Sequence, residues 1–388
     1  MSWNRVIGQK QQVRVLSNAL EKGRLAHAYL FSGPEGSGKE MTALEVAAAL
    51  NCRSPDAVRN GACGTCPDCL QIREFMHPNV EYLFPVEAAL LEGGDSQKKD
   101  NKKFTEAREQ FLALIEKKKE NPYFSPAMDR SMGILTEQVV ALQQKASFMP
   151  REGTRKVFII SQAEKLHPSA ANKLLKLLEE PPAHVLFVLV TSRPDSLLAT
   201  IRSRCQEIRF QRVAAVDLRK WLEENRPEIV DPELGFIVNF SRGNLKLAWE
   251  LIAGKDEASS EPATIAIRRM ALDYLRKVLA PKRFHEALTA SEEHAKNLSR
   301  TELVLFIGAI LLFLQDTCHR RITPEFRNLN NPDITDAVDR FAKNFPNPDY
   351  LGVSTLAEES IRAIERNASP LLVMAAFTAA LRPLLQRA

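Results

Sequence analysis

Short apolar runs alternate with longer amphipathic segments through the first 210 residues of the chain. The runs occupy residues 28–31, 80–84, 157–160, 186–190 and 207–210. The middle three are almost continuous in Val, Ile, Leu and Phe, which is typical of strands buried on both faces. Amphipathic segments near 136–150 and 169–180 lie between them and end at prolines, as helices do. This alternation predicts an α/β domain with a parallel five-stranded sheet.

The pattern changes after residue 212, where helical periodicity replaces the apolar runs. It predicts helices over 213–224, 235–253, 263–278, 300–317 and 370–385. Residues 254–262 are rich in Gly, Asp, Glu and Ser and are interpreted as a linker. We therefore expect three domains: an α/β domain at 1–212, a small helical domain at 213–254, and an all-α C-terminal domain at 262–388.

Residues 86–130 interrupt the α/β rhythm and are interpreted as an insertion. The stretch GGDSQKKDNKK is polar, and a charged helical pattern ending in KKKE follows it. We interpret the lysines as a solvated helix face rather than as DNA contacts. The sequence assigns no role to the insertion.

Composition and charge narrow the class of protein. The chain has 388 residues, 45% of them hydrophobic and 26% charged, which is ordinary for a globular protein of two to three domains. Its first residues lack the apolar core of a signal peptide, and its apolar runs are shorter than the ~20 residues that span a bilayer. These observations predict a cytoplasmic protein with no membrane partner. The net charge of +5 is too small to indicate a dedicated nucleic-acid binder.

A phosphate-binding loop follows the first predicted strand. Gly33, Gly36, Gly38 and Lys39 form the pattern G-x-x-x-x-G-K in front of a helix. Glycines allow the backbone N–H groups to face phosphate oxygens, and the lysine reaches the terminal phosphates. The strand–loop–helix context makes this a specific indication of ancestry.

The positions that support hydrolysis have changed. Glu40 stands where a Ser or Thr hydroxyl ligates Mg²⁺, and Ser161 and Gln162 stand where an Asp and a Glu follow the third strand. Like charges about 4 Å apart repel by about 4 kcal/mol at an effective dielectric near 20, so Glu40 disfavours a triphosphate. We interpret Glu40 as salt-bridged to Lys39 in an empty loop. ATP–Mg²⁺ binding is therefore doubtful, hydrolysis is not expected, and nucleotide binding without hydrolysis stays open.

Four cysteines lie within 18 residues, in the order Cys52-x10-Cys63-x2-Cys66-x2-Cys69. The two C-x2-C spacings bring thiolates to one ion, and four thiolates make a closed tetrahedral site suited to structural zinc. An iron–sulfur cluster uses the same ligands, so the residues alone leave both open. Cys205 and Cys318 lie outside the cluster and are expected to be unreactive.

Several stretches together resemble one family. HAYLFSGPEGSGKE (27–40), the cysteine module, RKVFIISQAEKLHPSAANKLLKLLEEPP (155–182) and LVTSRPDSLLATIRSRCQEIRF (189–210) occur in the order found in AAA+ clamp-loader subunits of bacterial DNA polymerase III. The resemblance covers roughly residues 1–253. It implies an AAA+ domain, a lid domain and a collar domain, and it favours zinc over an iron–sulfur cluster.

The resemblance also implies roles for individual residues. Arg204, in the Ser-Arg-Cys motif, resembles the family's arginine finger, which reaches ATP bound by a neighbouring subunit. Thr191 lies where the family carries a nucleotide-sensing residue, with strand capping as an equal alternative. Lys246 lies in a sensor-arginine region but cannot make a bidentate clamp.

The departures at 40, 161 and 162 make the chain similar to the non-hydrolysing delta-prime branch of that family. The resemblance then implies gamma/tau-type ATPase and delta-type subunits as partners, and contact with the sliding clamp and primed DNA through the complex. Two alternatives stay open: a gamma/tau-like ATPase that uses Glu164, and a DNA-binding module acting through residues 98–119.

Overall fold

The computed structural model describes residues 2–91, 102–128, 130–151, 153–253, 263–280, 284–326, 329–345 and 347–386. The predicted linker at 254–262 lies outside the described residues, as do residues 92–101 of the insertion. The chain forms two compact units, residues 1–218 with 243–249 and residues 219–242 with 250–388. The domain boundaries at 212, 254 and 262 stay predictions.

The first unit contains one parallel sheet of five strands. The strands are β1 (Ala28–Ser32), β2 (Val80–Leu83), β3 (Lys156–Ile160), β4 (Val185–Thr191) and β5 (Gln206–Arg209). Their spatial order is β2-β3-β4-β1-β5, and every pairing is parallel. The predicted α/β class and all five predicted strands are confirmed.

Period-two alternation divides the strand side chains between the two faces of this sheet. On β1, Leu30 packs in one apolar cluster with residues 134–146 and 163–178, whereas Tyr29 and Phe31 pack in a second cluster with residues 43–48 and 69–72. All residues of β1, β3 and β4 are buried, which explains their nearly continuous apolar sequence.

Helices cover both faces and connect the strands. Those before β5 are α1 (Lys10–Glu21), α2 (Lys39–Asn51), α3 (Ala57–Asn60), α4 (Pro67–Arg73), α5 (Lys102–Glu120), α6 (Thr136–Ser147), α7 (Pro168–Glu179) and α8 (Ala199–Arg202). The helix α5 belongs to the predicted insertion. Two of the helices, α2 and α4, position the phosphate loop and the cysteine module described below.

Only helices follow β5 in the described residues. They are α9 (Ala215–Asn225), α10 (Glu233–Ser241), α11 (Leu245–Ala253), α12 (Ala263–Leu279), α13 (Phe284–Asn297), α14 (Arg300–Ile322), α15 (Thr335–Asn344), α16 (Tyr350–Glu365) and α17 (Pro370–Leu385). The single helix predicted over 235–253 is wrong. Arg242 and Gly243 both have positive φ, and a Cβ on Gly243 would lie 2.1 Å from the carbonyl oxygen of Val213, so the chain turns there.

The second unit is built around α14, which packs against α12, α15 and α16. Asp316 on α14 is fully buried and accepts hydrogen bonds from the backbone and side-chain nitrogens of Asn330 and Asn331. The length and apolar composition of α14 would suffice to cross a membrane, but 72% of its apolar window is buried inside the protein. That burial is typical of a core helix.

Candidate functional site

The phosphate loop joins β1 to α2, as its sequence predicts. Gly36 has a φ of 71°, and a Cβ there would lie 1.7 Å from the Oδ1 atom of Asn244. Gly33 has a φ of 142°, and a Cβ there would lie 2.3 Å from the carbonyl oxygen of Phe210. Only glycine fits such close approaches, so the loop keeps its shape.

Lys39 points into the loop rather than towards its neighbour Glu40. Its side chain is almost fully buried, and its Nζ donates to the carbonyl oxygens of Gly33 (2.7 Å) and Pro34 (2.5 Å). Burial lowers the pKa of Lys39 to about 8. The predicted Glu40–Lys39 salt bridge is wrong, because the loop carbonyls hold the ammonium and Glu40 has another partner.

That partner is Lys118, within a closed network around the Glu40 carboxylate. The Oε2 atom accepts hydrogen bonds from Lys118 Nζ and from the Tyr82 hydroxyl (2.6 Å). The Oε1 atom accepts from Ser125 Oγ (2.9 Å) and from Ser161 Oγ. Burial alone would raise the pKa of Glu40, but the Lys118 charge and these hydrogen bonds hold it below its usual value.

Lys118 comes from the insertion helix α5 and has no exposed side-chain surface. Its ammonium also donates to the carbonyl oxygens of Pro122 (2.8 Å) and Phe124 (2.5 Å) and lies 5.5 Å from the centre of the Tyr82 ring. Burial lowers the pKa of Lys118, and the Glu40 carboxylate opposes that shift. The prediction of a solvated lysine face is wrong for this residue. Sequence reasoning missed it, because Lys117 and Lys119 look the same beside it.

Ser161 and Gln162 follow β3 at the edge of the site. Ser161 is fully buried and supplies one of the hydrogen bonds to Glu40. Gln162 has a left-handed backbone (φ 51°), and its amide nitrogen donates to the carbonyl oxygen of Pro126 at 2.7 Å. Neither side chain is a carboxylate, and both are engaged in hydrogen bonds within the protein.

A cavity of about 270 Å³ lies beside the loop and is lined by residues 35–41, Gln162, Glu164, Thr191 and Arg193, among others. Thr191 is buried at the end of β4, and its Oγ1 accepts a hydrogen bond from the Arg193 backbone N–H at 3.0 Å. The strand-capping alternative for Thr191 therefore has a physical basis. Glu164 Oε1 accepts a hydrogen bond from Ser192 Oγ at 3.0 Å.

Lys246 lies near the same loop, at the start of α11. Its Nζ makes a 2.7 Å ion pair with Glu35 and lies 6.0 Å from the centre of the Phe124 ring. The lysine thus neutralises an acidic residue that lines the cavity. Its predicted weak sensor role stays a prediction.

The cysteine module lies at the other end of α2. The sulfur atoms of Cys52, Cys63, Cys66 and Cys69 all lie within 4.8 Å of one another, and the Cys52–Cys66 and Cys63–Cys69 pairs are 3.9 Å apart. Tetrahedral bonds of ~2.3 Å to one zinc ion place sulfurs nearly 4 Å apart. Backbone N–H groups of Thr65 and Cys66 lower the pKa of Cys63 to about 6, which favours its thiolate. The cluster can therefore bind a metal and fits structural zinc.

The surroundings of the module orient it without adding a ligand. His77 is buried, and its Nε2 lies 3.4 Å from Asp68 on α4. Its carbonyl oxygen accepts a hydrogen bond from the Val80 N–H at 3.1 Å, which closes a turn before β2. Arg53 makes a 2.5 Å ion pair with the same aspartate.

The two remaining cysteines lie apart from this cluster. Cys205 packs against the apolar core, and burial raises its pKa to about 12. Burial also raises the pKa of Cys318 on α14. Both shifts favour the unreactive thiol.

Arg204 follows α8 on the surface of the first unit. Its guanidinium donates to Glu179 at the end of α7 (2.8 Å) and to the carbonyl oxygen of Thr200 (3.0 Å). About a third of its side chain is exposed. In the single chain, this arginine is therefore an ion-pairing residue at the surface, and its predicted action on a neighbour stays a prediction.

Comparison with known proteins identifies the family to which this chain belongs. A family model described as "DNA polymerase III, delta subunit" matches residues 8–214, more than half of the chain. The chain belongs to the DNA polymerase III clamp-loader family. Its clamp-loader relatives include DNA polymerase III subunit delta' of Bacillus subtilis, 30% identical over 261 residues that cover 67% of this chain and 64% of the relative.

The family also contains tau relatives of this chain. DNA polymerase III subunit tau of Bacillus subtilis is 28% identical over 303 residues, which cover 74% of this chain and 45% of the relative. The chain thus spans less than two thirds of the length of either relative. Among solved structures, a DNA polymerase III gamma subunit-related protein from Thermotoga maritima aligns with 96% of this chain and 99% of its own, at 16% identity and a TM-score of 0.42.

Proposed function

We propose that the chain is a delta-prime-like, non-hydrolysing clamp-loader subunit. It acts in the cytoplasm with gamma/tau-type ATPase subunits and a delta-type subunit to load the sliding clamp on primed DNA. The observation that carries the proposal is the network around Glu40. The residue at the magnesium position of the phosphate loop is a carboxylate already bound by Lys118, Tyr82, Ser125 and Ser161.

Loss of hydrolysis follows from this network. A hydroxyl at residue 40 would offer a neutral ligand to Mg²⁺, whereas the carboxylate is neutralised by an ammonium that repels a divalent cation. Ser161 and Gln162 supply neither a second magnesium ligand nor a base for the attacking water. The chain then contributes to turnover only through a neighbour's site.

Arg204 is the residue we propose for that contribution. Its guanidinium is permanently charged and forked, which suits a γ-phosphate bound by an adjacent subunit. Exposure of about a third of the side chain leaves it accessible, and its bond to Glu179 is a surface ion pair that typically contributes only about 0–1 kcal/mol. Releasing the arginine to a neighbour therefore costs little.

The deciding experiment reconstitutes the complex with a neighbouring ATPase as its one active site. Arg204→Ala is expected to lower DNA-stimulated turnover by about 10³-fold or more, the typical effect of removing an arginine finger. Arg202→Ala is the matched control, because it removes an exposed arginine two residues away that pairs with Asp195. Equal turnover with Arg204→Ala and Arg202→Ala complexes would overturn the assignment.

The lone chain provides a separate test. We expect no magnesium-dependent ATP cleavage above the level of a Lys39→Ala variant. Cleavage that disappears with Lys39→Ala would instead support the second candidate, a gamma/tau-like ATPase. That candidate is favoured by the similarity to tau and by Glu164, whose carboxylate lines the cavity.

A DNA-binding role for residues 98–119 has less support. Residues 98–101 lie outside the described part of the chain. Within α5, Lys118 is buried on Glu40, and Lys119 pairs with Glu74 (3.1 Å) and Glu116 (2.7 Å). Salt-dependent DNA affinity that falls when Lys102 and Lys103 are replaced would support a DNA-binding role.

We further propose that the cysteine cluster holds a structural zinc ion. Four thiolates close the tetrahedron and leave no position for catalysis. The ion would fix the segment between α2 and α4, because metal binding contributes directly to folding. Metal analysis of the purified chain, expected to give one zinc per chain, tests this assignment.

A further inference from the structure

The Glu40 carboxylate has no acceptor position left for a metal ion. An ionised carboxylate offers about four lone-pair positions, and four donors from four different residues occupy them. Three of these donors are hydroxyls of Tyr82, Ser125 and Ser161, and the fourth is the ammonium of Lys118. A divalent cation could bind here only by displacing one of them.

Lys118 itself occupies an environment made of oxygen atoms. Its Nζ contacts Glu40 Oε2 and the carbonyl oxygens of Pro122 and Phe124, all from within the protein. Carboxylate and carbonyl oxygens are also the ligands that hard divalent cations prefer. The ammonium is therefore a resident cation bound to the side chain that replaces the magnesium ligand of the loop.

The phosphate-facing part of the site is retained. The positive-φ glycines preserve the loop, and Lys39, whose ammonium is held by the loop carbonyls of Gly33 and Pro34, is among the residues that line the cavity. Lys118 and Lys246 neutralise Glu40 and Glu35, so Lys39, Lys165 and Arg193 outweigh Glu164 among the other charges that line the cavity. Its 270 Å³ lies just below the roughly 300–1,000 Å³ typical of ligand cavities, which suits the phosphate end of a ligand.

We propose that Lys118 is a tethered cation that replaces the divalent metal at this phosphate loop, so that the loop binds a polyphosphate group without a metal ion. The inference deepens the proposed function and rests on it, since it describes what the non-hydrolysing site accepts. It also gives the insertion a role, which is to deliver this cation to the loop. Lys118 is a specificity-determining residue in this proposal, not a catalytic one.

Calorimetric titration of the full chain tests the proposal with ADP and with pyrophosphate as probes. We expect both to bind in EDTA with an affinity that added Mg²⁺ does not raise. Comparing the two probes shows whether the nucleoside contributes beyond the shared diphosphate. Lys39→Ala is expected to weaken binding by about tenfold or more, because it removes a charge-assisted contact.

The variant Lys118→Met separates a tethered cation from a merely structural lysine. Without the ammonium, Glu40 repels the diphosphate, so affinity in EDTA should fall by about tenfold and Mg²⁺ should restore part of it. A structural role would weaken binding equally with and without Mg²⁺. Lys102→Met, an exposed position on the same helix, is the matched control and should change neither affinity.

The wild-type titrations decide the question even if Lys118→Met does not fold. Absence of binding in EDTA, or binding that appears only with Mg²⁺, would overturn the inference and leave the proposed function intact. Magnesium-dependent ATP cleavage by the same wild-type sample, lost in Lys39→Ala, would overturn the proposed function itself. The two failures therefore have different signatures.

Discussion

The two ends of α2 carry two sites, which differ in how far along the chain their interacting side chains lie. At its N-terminus, the phosphate loop retains its glycines and Lys39, but the next residue is a carboxylate satisfied from elsewhere in the chain. At its C-terminus, Cys52 and three other cysteines of the following segment form a complete cluster of metal-ligand type. One end depends on a distant partner, and the other is complete within a short segment.

The difference shows what a sequence motif can and cannot report. Lys118 is 78 positions from Glu40, whereas Cys52 and Cys66 are 14 positions apart. Short spacings constrain which side chains meet, so the cysteine cluster is predictable from its pattern. No spacing rule connects the loop to the insertion, because the topology of the sheet and α5 brings them together.

The largest effect on stability is expected at the cysteine cluster, at the C-terminal end of α2. Replacing Cys69 by Ser removes a buried thiol from the proposed zinc site, so we expect loss of the proposed zinc ion and local unfolding between α2 and α4. Structural zinc sites carry apparent binding free energies of about 10–16 kcal/mol. Metal analysis and hydrogen exchange measure both. Cys318→Ser is the control and should retain the metal. A Cys69→Ser chain with full zinc content would contradict the four-thiolate assignment.

A smaller loss of stability is expected at the phosphate loop, where Glu40 pairs with the distant Lys118. Lys118→Met leaves the buried Glu40 charge uncompensated, which typically lowers the free energy of unfolding by about 3–5 kcal/mol. Denaturant titration measures the loss. Adding Glu40→Gln should recover most of it, because the double variant no longer buries a charge. A single variant as stable as the wild type would show that the pair does not hold the insertion in place.

The smallest effect concerns Glu45, which lies on α2 between the two sites. Burial raises its pKa from 4.5 to about 7, with Arg5 at 3.2 Å opposing the shift. Since the native state holds this proton more tightly than the unfolded state, the contribution is full below pH 4.5 and is lost as the pH rises through 7.

Glu45→Gln should therefore flatten the pH dependence of unfolding between those two values. Stability curves of wild type and variant should agree in slope near pH 3, well below both pKa values of Glu45, and diverge towards pH 7. Parallel curves across the whole window would show that the carboxylate is solvated.

Much of the first unit could be predicted from its sequence because its signals are local. Buried parallel strands produce continuous apolar runs, and all five were placed correctly. The second unit was harder: α13, α15 and α16 were not predicted. The turn at Arg242 and Gly243 was also missed, because it depends on a close backbone approach to Val213.

The candidate site also has features that the sequence predicts and one that it does not. The loop, the cysteines and the missing carboxylates at 161 and 162 could be identified from residue types and spacing. The partner of Glu40 could not, since a lysine flanked by two other lysines carries no sign that it alone is buried. The carboxylate at 40 was itself the available signal, because a buried anion requires a cation somewhere.

The tie between Lys118 and Glu40 has a consequence for inheritance. A descendant that lost α5 would bury the Glu40 carboxylate without its ion-pair partner. A descendant that restored a hydroxyl at residue 40 would bury the Lys118 ammonium without its ion-pair partner. We expect either step alone to lower the free energy of unfolding. We therefore expect Lys118 and the residue after Lys39 to be inherited together, although 78 positions separate them.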